Sequence, residues 1–292
     1  MKHSKIPVLA LVFAGLTTPA LAETDCTSEW VLISQMMNTQ GDAVSGEGSQ
    51  CMVSNVKWAD GTQASSLHWS VPDFMQAALE GRMPQSAQVN IMGLIETSPT
   101  ADMGSLAGKP ADMEISYAWD ATSRVMDLSG VSVAFADGQG IHLQGQIAGL
   151  DLSSAQMMQI SAMQAALTDL DVKISGSDVL SLMLNPALDE LAEGPDSTLA
   201  APTQSELQAA NEFVDQLPQA SFSLGTRQAL KSLVAALPNA QDGVRLTLKS
   251  ETGLSAMRMM PIMMQDDPAM VDILSILFDG AIVDVTYPWV AE

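Results

Sequence analysis

The residues whose side chains could carry unusual chemistry are methionines near the C-terminus. Met257, Met259, Met260, Met263, Met264 and Met270 fall within 14 residues. Thioethers are soft ligands that need no deprotonation, which suits them to Cu(I). Met260 would share a helix face with Met263 or Met264. Pro261 sits at the start of that face, however, and no histidine stands close enough to complete a mixed site. The chain has 20 Met against five Trp, two Tyr and six Phe, with Met spread throughout. Met is unbranched and adaptable, and it fills irregular apolar space. Met257, Met260, Met263, Met264 and Met270 are therefore expected to form a plastic apolar lining for packing or for a hydrophobic ligand. Cu(I) binding is the alternative.

Other motifs reduce to structural explanations. His68 and His142 each lie in a strand-like run without a local partner, whereas general-base or zinc chemistry needs convergent histidines and carboxylates. Ser54-Asn-Val-Lys57 has the Ser-x-x-Lys spacing of penicillin-binding enzymes, but it falls on an expected strand and its companion motifs are missing. Gly108-Lys109-Pro110 resembles the end of a phosphate-binding loop only in part, since Pro110 replaces Ser or Thr. Asp266-Asp267 and Asp189-Glu190 with Glu193 lack the ligand spacing of calcium loops. Asp267 reads as a helix cap ahead of Pro268, and Glu190 and Glu193 as a solvated face. No catalytic, cofactor or metal residue is assigned, and no enzyme is expected.

The compartment is more legible than the chemistry. Lys2, His3 and Lys5 precede an apolar run from Ile6 to Leu16, and Ala20-Leu21-Ala22 completes a signal-peptide pattern with cleavage after Ala22. The run is too short to span a bilayer, and no later stretch is long enough. The expectation is a soluble periplasmic protein without a transmembrane anchor. Cys26 and Cys51 are the two cysteines. In an oxidising compartment they read as one structural disulfide, worth about 3 kcal/mol on the chain-entropy model. Removing Lys2 and Lys5 leaves ten basic residues against 34 acidic ones, a net charge of −24. Such a chain repels phosphate backbones and anionic membrane surfaces, which excludes nucleic acid as a partner.

The elements that would position these residues alternate in type. A helix is expected over Thr27–Met37, then a loop over Gly41–Gln50. Strand-like runs at Cys51–Trp58 and Gln63–Ser70 flank Asp60-Gly61, a hairpin signal. Pro72-Asp73 opens a short helix ended by Gly81, and Val89–Glu96 is a strand. Runs at Met113–Trp119, Arg124–Leu128, Val131–Phe135 and Gln139–Leu150 have a period of two, which marks antiparallel strands with one buried face. Ser153–Ala166 reads as a helix with Met157, Ile160, Met163 and Leu167 on one face. A strand at Leu170–Ile174 leads into a helix interrupted or kinked near Pro186. Thr203-x-x-Glu206 is a capping box. A strand at Gln219–Leu224, a turn at Gly225-Thr226, a helix to Leu237, a strand at Val244–Lys249, two Met-rich helices at Ser255–Met264 and Asp267–Phe278, and a strand at Ala281–Tyr287 follow.

The expected division is a signal peptide (1–22), a β-rich domain with the N-terminal disulfide (23–194), a linker (195–202) and an α+β C-terminal part (203–292) continuous with the same sheet. Val172-Lys-Ile-Ser-Gly176 and Phe222-Ser-Leu-Gly225, each followed by a Leu-rich helix and a proline, suggest tandem strand–turn–helix units. The fold class expected is α+β, a long curved antiparallel sheet with short helices packed on one face.

Val53-Ser-Asn-Val-Lys-Trp58 with Leu67-His-Trp69, and Val125-Met-Asp-Leu-Ser-Gly-Val131 with Leu143-Gln-Gly-Gln-Ile-Ala-Gly-Leu-Asp-Leu152, carry a resemblance. The pattern over about residues 50–185 resembles uncharacterised envelope proteins of proteobacteria, and more distantly the AsmA-like group. The resemblance implies curved sheets whose grooves associate with lipids. It transfers no functional residue, and the chain lacks the membrane anchor typical of AsmA-like proteins. The leading expectation is a non-enzymatic periplasmic protein that binds a hydrophobic ligand or lipid in a β-groove. An envelope assembly or protein-interaction factor is the alternative.

Overall fold

The chain builds one open sheet of 11 antiparallel strands with helices inserted between them. The computed structural model describes residues 26–47, 50–96, 106–191, 203–237, 240, 242–260 and 270–290. The signal sequence, the 195–202 linker, Met263, Met264, Asp266, Asp267 and Pro268 lie outside the described residues.

The N-terminal part comprises α1 (Cys26–Met37), β1 (Thr39–Gln40), β2 (Val44–Glu47), β3 (Gln50–Trp58), β4 (Gln63–Ser70), α2 (Phe74–Glu80) and β5 (Ser86–Leu94). The centre is β6 (Ala111–Asp120), β7 (Val125–Phe135) and β8 (Gly140–Ala148). Then come α3 (Ala155–Ala162), β9 (Ala166–Ser175), α4 (Ser177–Leu191), α5 (Gln204–Gln216), α6 (Leu224–Ala236), β10 (Gly243–Ser255), a 3-10 helix (Ala256–Met259), α7 (Met270–Leu277) and β11 (Ala281–Trp289). From β3 to β11 each strand pairs with its predecessor, and β10 pairs with β9 across the helices α4–α6. Helix-rich excursions therefore leave the sheet and return to the next free edge.

Local chemistry explains most boundaries. Gly81 ends α2 in the left-handed conformation, where a Cβ would cost energy. Thr203 and Glu206 form the reciprocal capping box at the start of α5. The Cys26–Cys51 disulfide forms, with Cα atoms 5.3 Å apart.

Five expectations are corrected. Gly41–Gln50 is not all loop, because Val44–Glu47 pairs with Gln50–Val53. Gly130 does not separate two strands. Met126 and Leu128 alternate in one phase and Val131, Val133 and Phe135 in the other, and β7 absorbs the phase change as a bulge at Ser129 and Gly130. The helix expected from Ser153 is shorter than its apolar spacing. Ile160 and Met163 are more than half exposed, and Leu167 already belongs to β9. That helix is fixed instead by Ser154 at its cap and by the buried Ser161, whose hydroxyl accepts from the Asp151 N–H at 2.8 Å. Gln219–Leu224 is not a strand: only Phe222 bridges β11, through Val283, and Ser223 caps a helix that takes in Gly225 and Thr226. The second member of the suggested repeat thus lacks its strand. Finally, of the interruption or kink expected near Pro186, the interruption is absent: α4 runs from Ser177 to Leu191 as one helix.

Candidate functional site

Strand register divides the sheet into two chemically distinct faces. Residues paired across antiparallel strands share a face, so each register row can be followed from strand to strand. One row runs Val53, Leu67, Ile91, Met113, Val133, Ile141, Ile174, Val244. Its neighbour runs Cys51, Trp69, Val89, Ile115, Val131, Leu143, Val172, Leu246, Val285. The opposite face carries rows such as His68, Asn90, Glu114, Ser132, His142, Lys173, Arg245.

Two packed cores draw on the apolar rows. The first joins Cys26 and Trp30 of α1 to Val53, Leu67 and Trp69, with Val89 and Ile91 packed against it. The second joins Ala210 and Val214 of α5, and Leu233 and Val234 of α6, to Val244, Leu248, Val283 and Val285. Between them, Met113, Ile115, Val131, Val133, Ile141 and Leu143 of β6–β8 belong to neither core. Five are partly buried, and Ile115 is 40 % exposed. Among the described residues the apolar rows continue across the centre of the sheet, whereas the two packed cores do not.

The strip is bounded at both strand ends. At one, the chain after α2 bonds to the chain before α3: the Met83 N–H donates to the Leu152 carbonyl and the Ala155 N–H to that of Gly81. The Tyr117 hydroxyl donates to the Pro84 carbonyl, and the Trp119 indole N–H to that of Leu150. Burial pushes the Tyr117 hydroxyl up to about 12, so it stays neutral. At the other end Leu106 is fully buried, Lys109 pairs with Asp137 at 2.9 Å, and Gln139 bonds the side chain and backbone N–H of Asp178.

The candidates from sequence are dispersed. His68 lies on the polar face with its Nε2 3.0 Å from Ser66 Oγ. His142 shares that row, and its ring and the Glu114 carboxyl both lie within 4 Å of where a Gly130 side chain would sit. Glu114, Ser132 and His142 are consecutive in register, yet among the described residues no group of three or more His, Cys, Asp or Glu could hold a metal ion. A depression of about 500 Å³ on the polar face is lined by Arg245, Thr247, Lys249, Ile282, Asp284 and Thr286. Its guanidinium is committed to Asp171 through two hydrogen bonds. Met257 and Met260 are about half exposed on or next to the 3-10 helix, and Met270 begins α7. Ser54 and Lys57 both lie on β3.

In sequence each strip residue is an ordinary strand residue. The available signal was alternation sustained over β6, β7 and β8 without a Leu-rich helix between them to cover it. Among the described residues no helix is long and apolar enough to cross a membrane. Comparison with family models, with curated proteins and with solved structures finds no match for this chain.

Proposed function

We propose that this protein is a non-enzymatic, exported, periplasmic carrier that holds a hydrophobic ligand or lipid in a groove over β6–β8. The observation that supports this reading is the apolar strip which, among the described residues, lies between two packed cores and belongs to neither. Contiguous apolar surface left open to water is costly, and proteins keep it where something binds. In this reading α1 with α2 and α4–α6 with α7 stand on the apolar face as the two walls, and β6–β8 form the floor. Register shifts in β5–β6, β6–β7, β7–β8, β8–β9 and β9–β10 bend the floor, since a bulge locally bends and twists its strand. Each methylene moved from water onto such a floor contributes about 0.8 kcal/mol. The exposed Met257 and Met260 supply adaptable apolar surface beside this fold.

Native mass spectrometry with organic extraction tests the proposal on protein purified from cells expressing the full chain. The expected result is a reproducible apolar mass on the wild-type protein and its loss from Ile115→Asp. Ile115 is partly exposed, so circular dichroism of the variant should match wild type. Protein that is empty on extraction, and that takes up no apolar probe in solution, refutes the carrier reading.

A further inference from the structure

We infer that the ligand is an acyl chain carried by an uncharged or zwitterionic group, and that free fatty acids are excluded. This rests on the groove proposed above and specifies what it accepts. The two central apolar rows, one from β3 to β10 and the other from β3 to β11, contain no ionisable side chain, Cys51 being disulfide-bonded. The next row, Ala87, Tyr117, Leu128, Gly145, Leu170, Leu248, Val283, adds only Tyr117, whose hydroxyl is used by Pro84. A carboxylate brought onto this floor would find no cation, and burying an unpaired charge is prohibitive.

The cations at the strip's ends are already engaged. Arg82 bonds Asp73 and Glu80, both at 2.6 Å, Lys109 pairs with Asp137 and Asp178, and Arg124 lies 3.6 Å from Asp151. Each of these three cations thus has at least one acidic partner, and the chain carries 34 acidic residues against 12 basic ones. An anionic head group meets repulsion at the rim as well as on the floor. Size separates a lipid from a second protein. Three strands about 4.8 Å apart, over four residues of about 3.3 Å each, make a floor of roughly 200 Å². A stable protein interface takes about 800 Å² from each partner.

Displacement of an uncharged fluorescent probe, N-phenyl-1-naphthylamine, from the full chain reads the preference. At pH 8 a zwitterionic phosphatidylcholine or a diacylglycerol should displace the probe at concentrations at least tenfold below those of palmitate or phosphatidylglycerol. Ile115→Lys should reverse the order by drawing palmitate in. Palmitate that competes as well as the diacyl lipids on the wild-type protein overturns the inference and leaves the groove standing. Failure of the probe to bind, or a dimer in native mass spectra that Ile115→Asp dissociates, removes the groove itself.

Discussion

The indole N–H of Trp69 donates to the buried carboxyl of Glu29 at 2.7 Å, joining α1 to β4 across 40 residues of sequence. Glu29 is 2 % exposed, and its Oε2 also lies 3.7 Å from the Cys51 sulfur. Trp30, the next residue of the helix, stacks on Trp69 with ring centroids 6.2 Å apart. Helix, strand and disulfide thus share one polar anchor inside an apolar core.

Removing the Glu29 carboxyl should cost more than its small size suggests. Glu29→Ala leaves a buried indole donor without its acceptor, a loss on the order of 2 kcal/mol. Glu29→Gln keeps an acceptor and should lose clearly less. Urea unfolding of both variants, with the disulfide intact, gives the comparison. Equal midpoints for Glu29→Ala and wild type would show that the contact contributes nothing.

Acid should weaken the fold between about pH 4 and pH 2. The Lys109 ammonium, aided by the Gln139 side chain and backbone, holds the Asp137 carboxyl at about 2 instead of the usual 3.8. Burial pushes Asp171 up, but the Arg245 guanidinium and Lys173 outweigh it and leave its pKa lowered. A carboxyl depressed by folding contributes stability that is present above its unfolded value and lost as pH falls through its folded value. The urea midpoint should therefore drop across this window, and Asp137→Asn should flatten part of the slope. A midpoint indifferent to pH from 4 to 2 contradicts the assignment.

Two glycines of the central strands should respond oppositely to alanine. A Cβ on Gly145 would meet the Asp169 carbonyl oxygen at 2.5 Å, forcing β8 away from β9. A Cβ on Gly130 would find His142 and Glu114 at 3.8 and 3.9 Å, ordinary van der Waals distances. Gly145→Ala should lose about 1–3 kcal/mol, as overpacking does, while Gly130→Ala should stay near wild type. Thermal unfolding that ranks them the other way would show that β8 and β9 yield more readily than the geometry allows.

Short-range chemistry was the legible part of this fold. The Asp60-Gly61 hairpin, the Pro72-Asp73 helix start, the Thr203–Glu206 box and the cysteine pair each depend on a few adjacent residues or on compartment alone. The period-two runs likewise identified the central strands. What could not be read was anything decided by tertiary context. The phase change at Ser129-Gly130 looks the same in sequence whether a turn or a bulge resolves it. Ile160 and Met163 have helical spacing, but the next strand claims Leu167 and leaves them in water. The strip on β6–β8 became visible only when register showed which rows continue from core to core. Its residues are those of any half-buried sheet, and among the described residues they are set apart by belonging to neither packed core.

Sequential pairing from β3 to β11 also governs how the chain can assemble. A polypeptide delivered N-terminus first presents each new strand to an edge that its predecessor has just completed. Cys26 and Cys51 meet once α1 and β3 have emerged, so the covalent link can close while most of the molecule is still to come. The last strand finishes against Ser221 and Phe222, where the Val283 N–H donates to the Ser221 carbonyl and Phe222 bridges Val283. That contact occupies the outer edge of β11 at Val283, where an unpaired strand edge would otherwise offer its backbone groups to another chain.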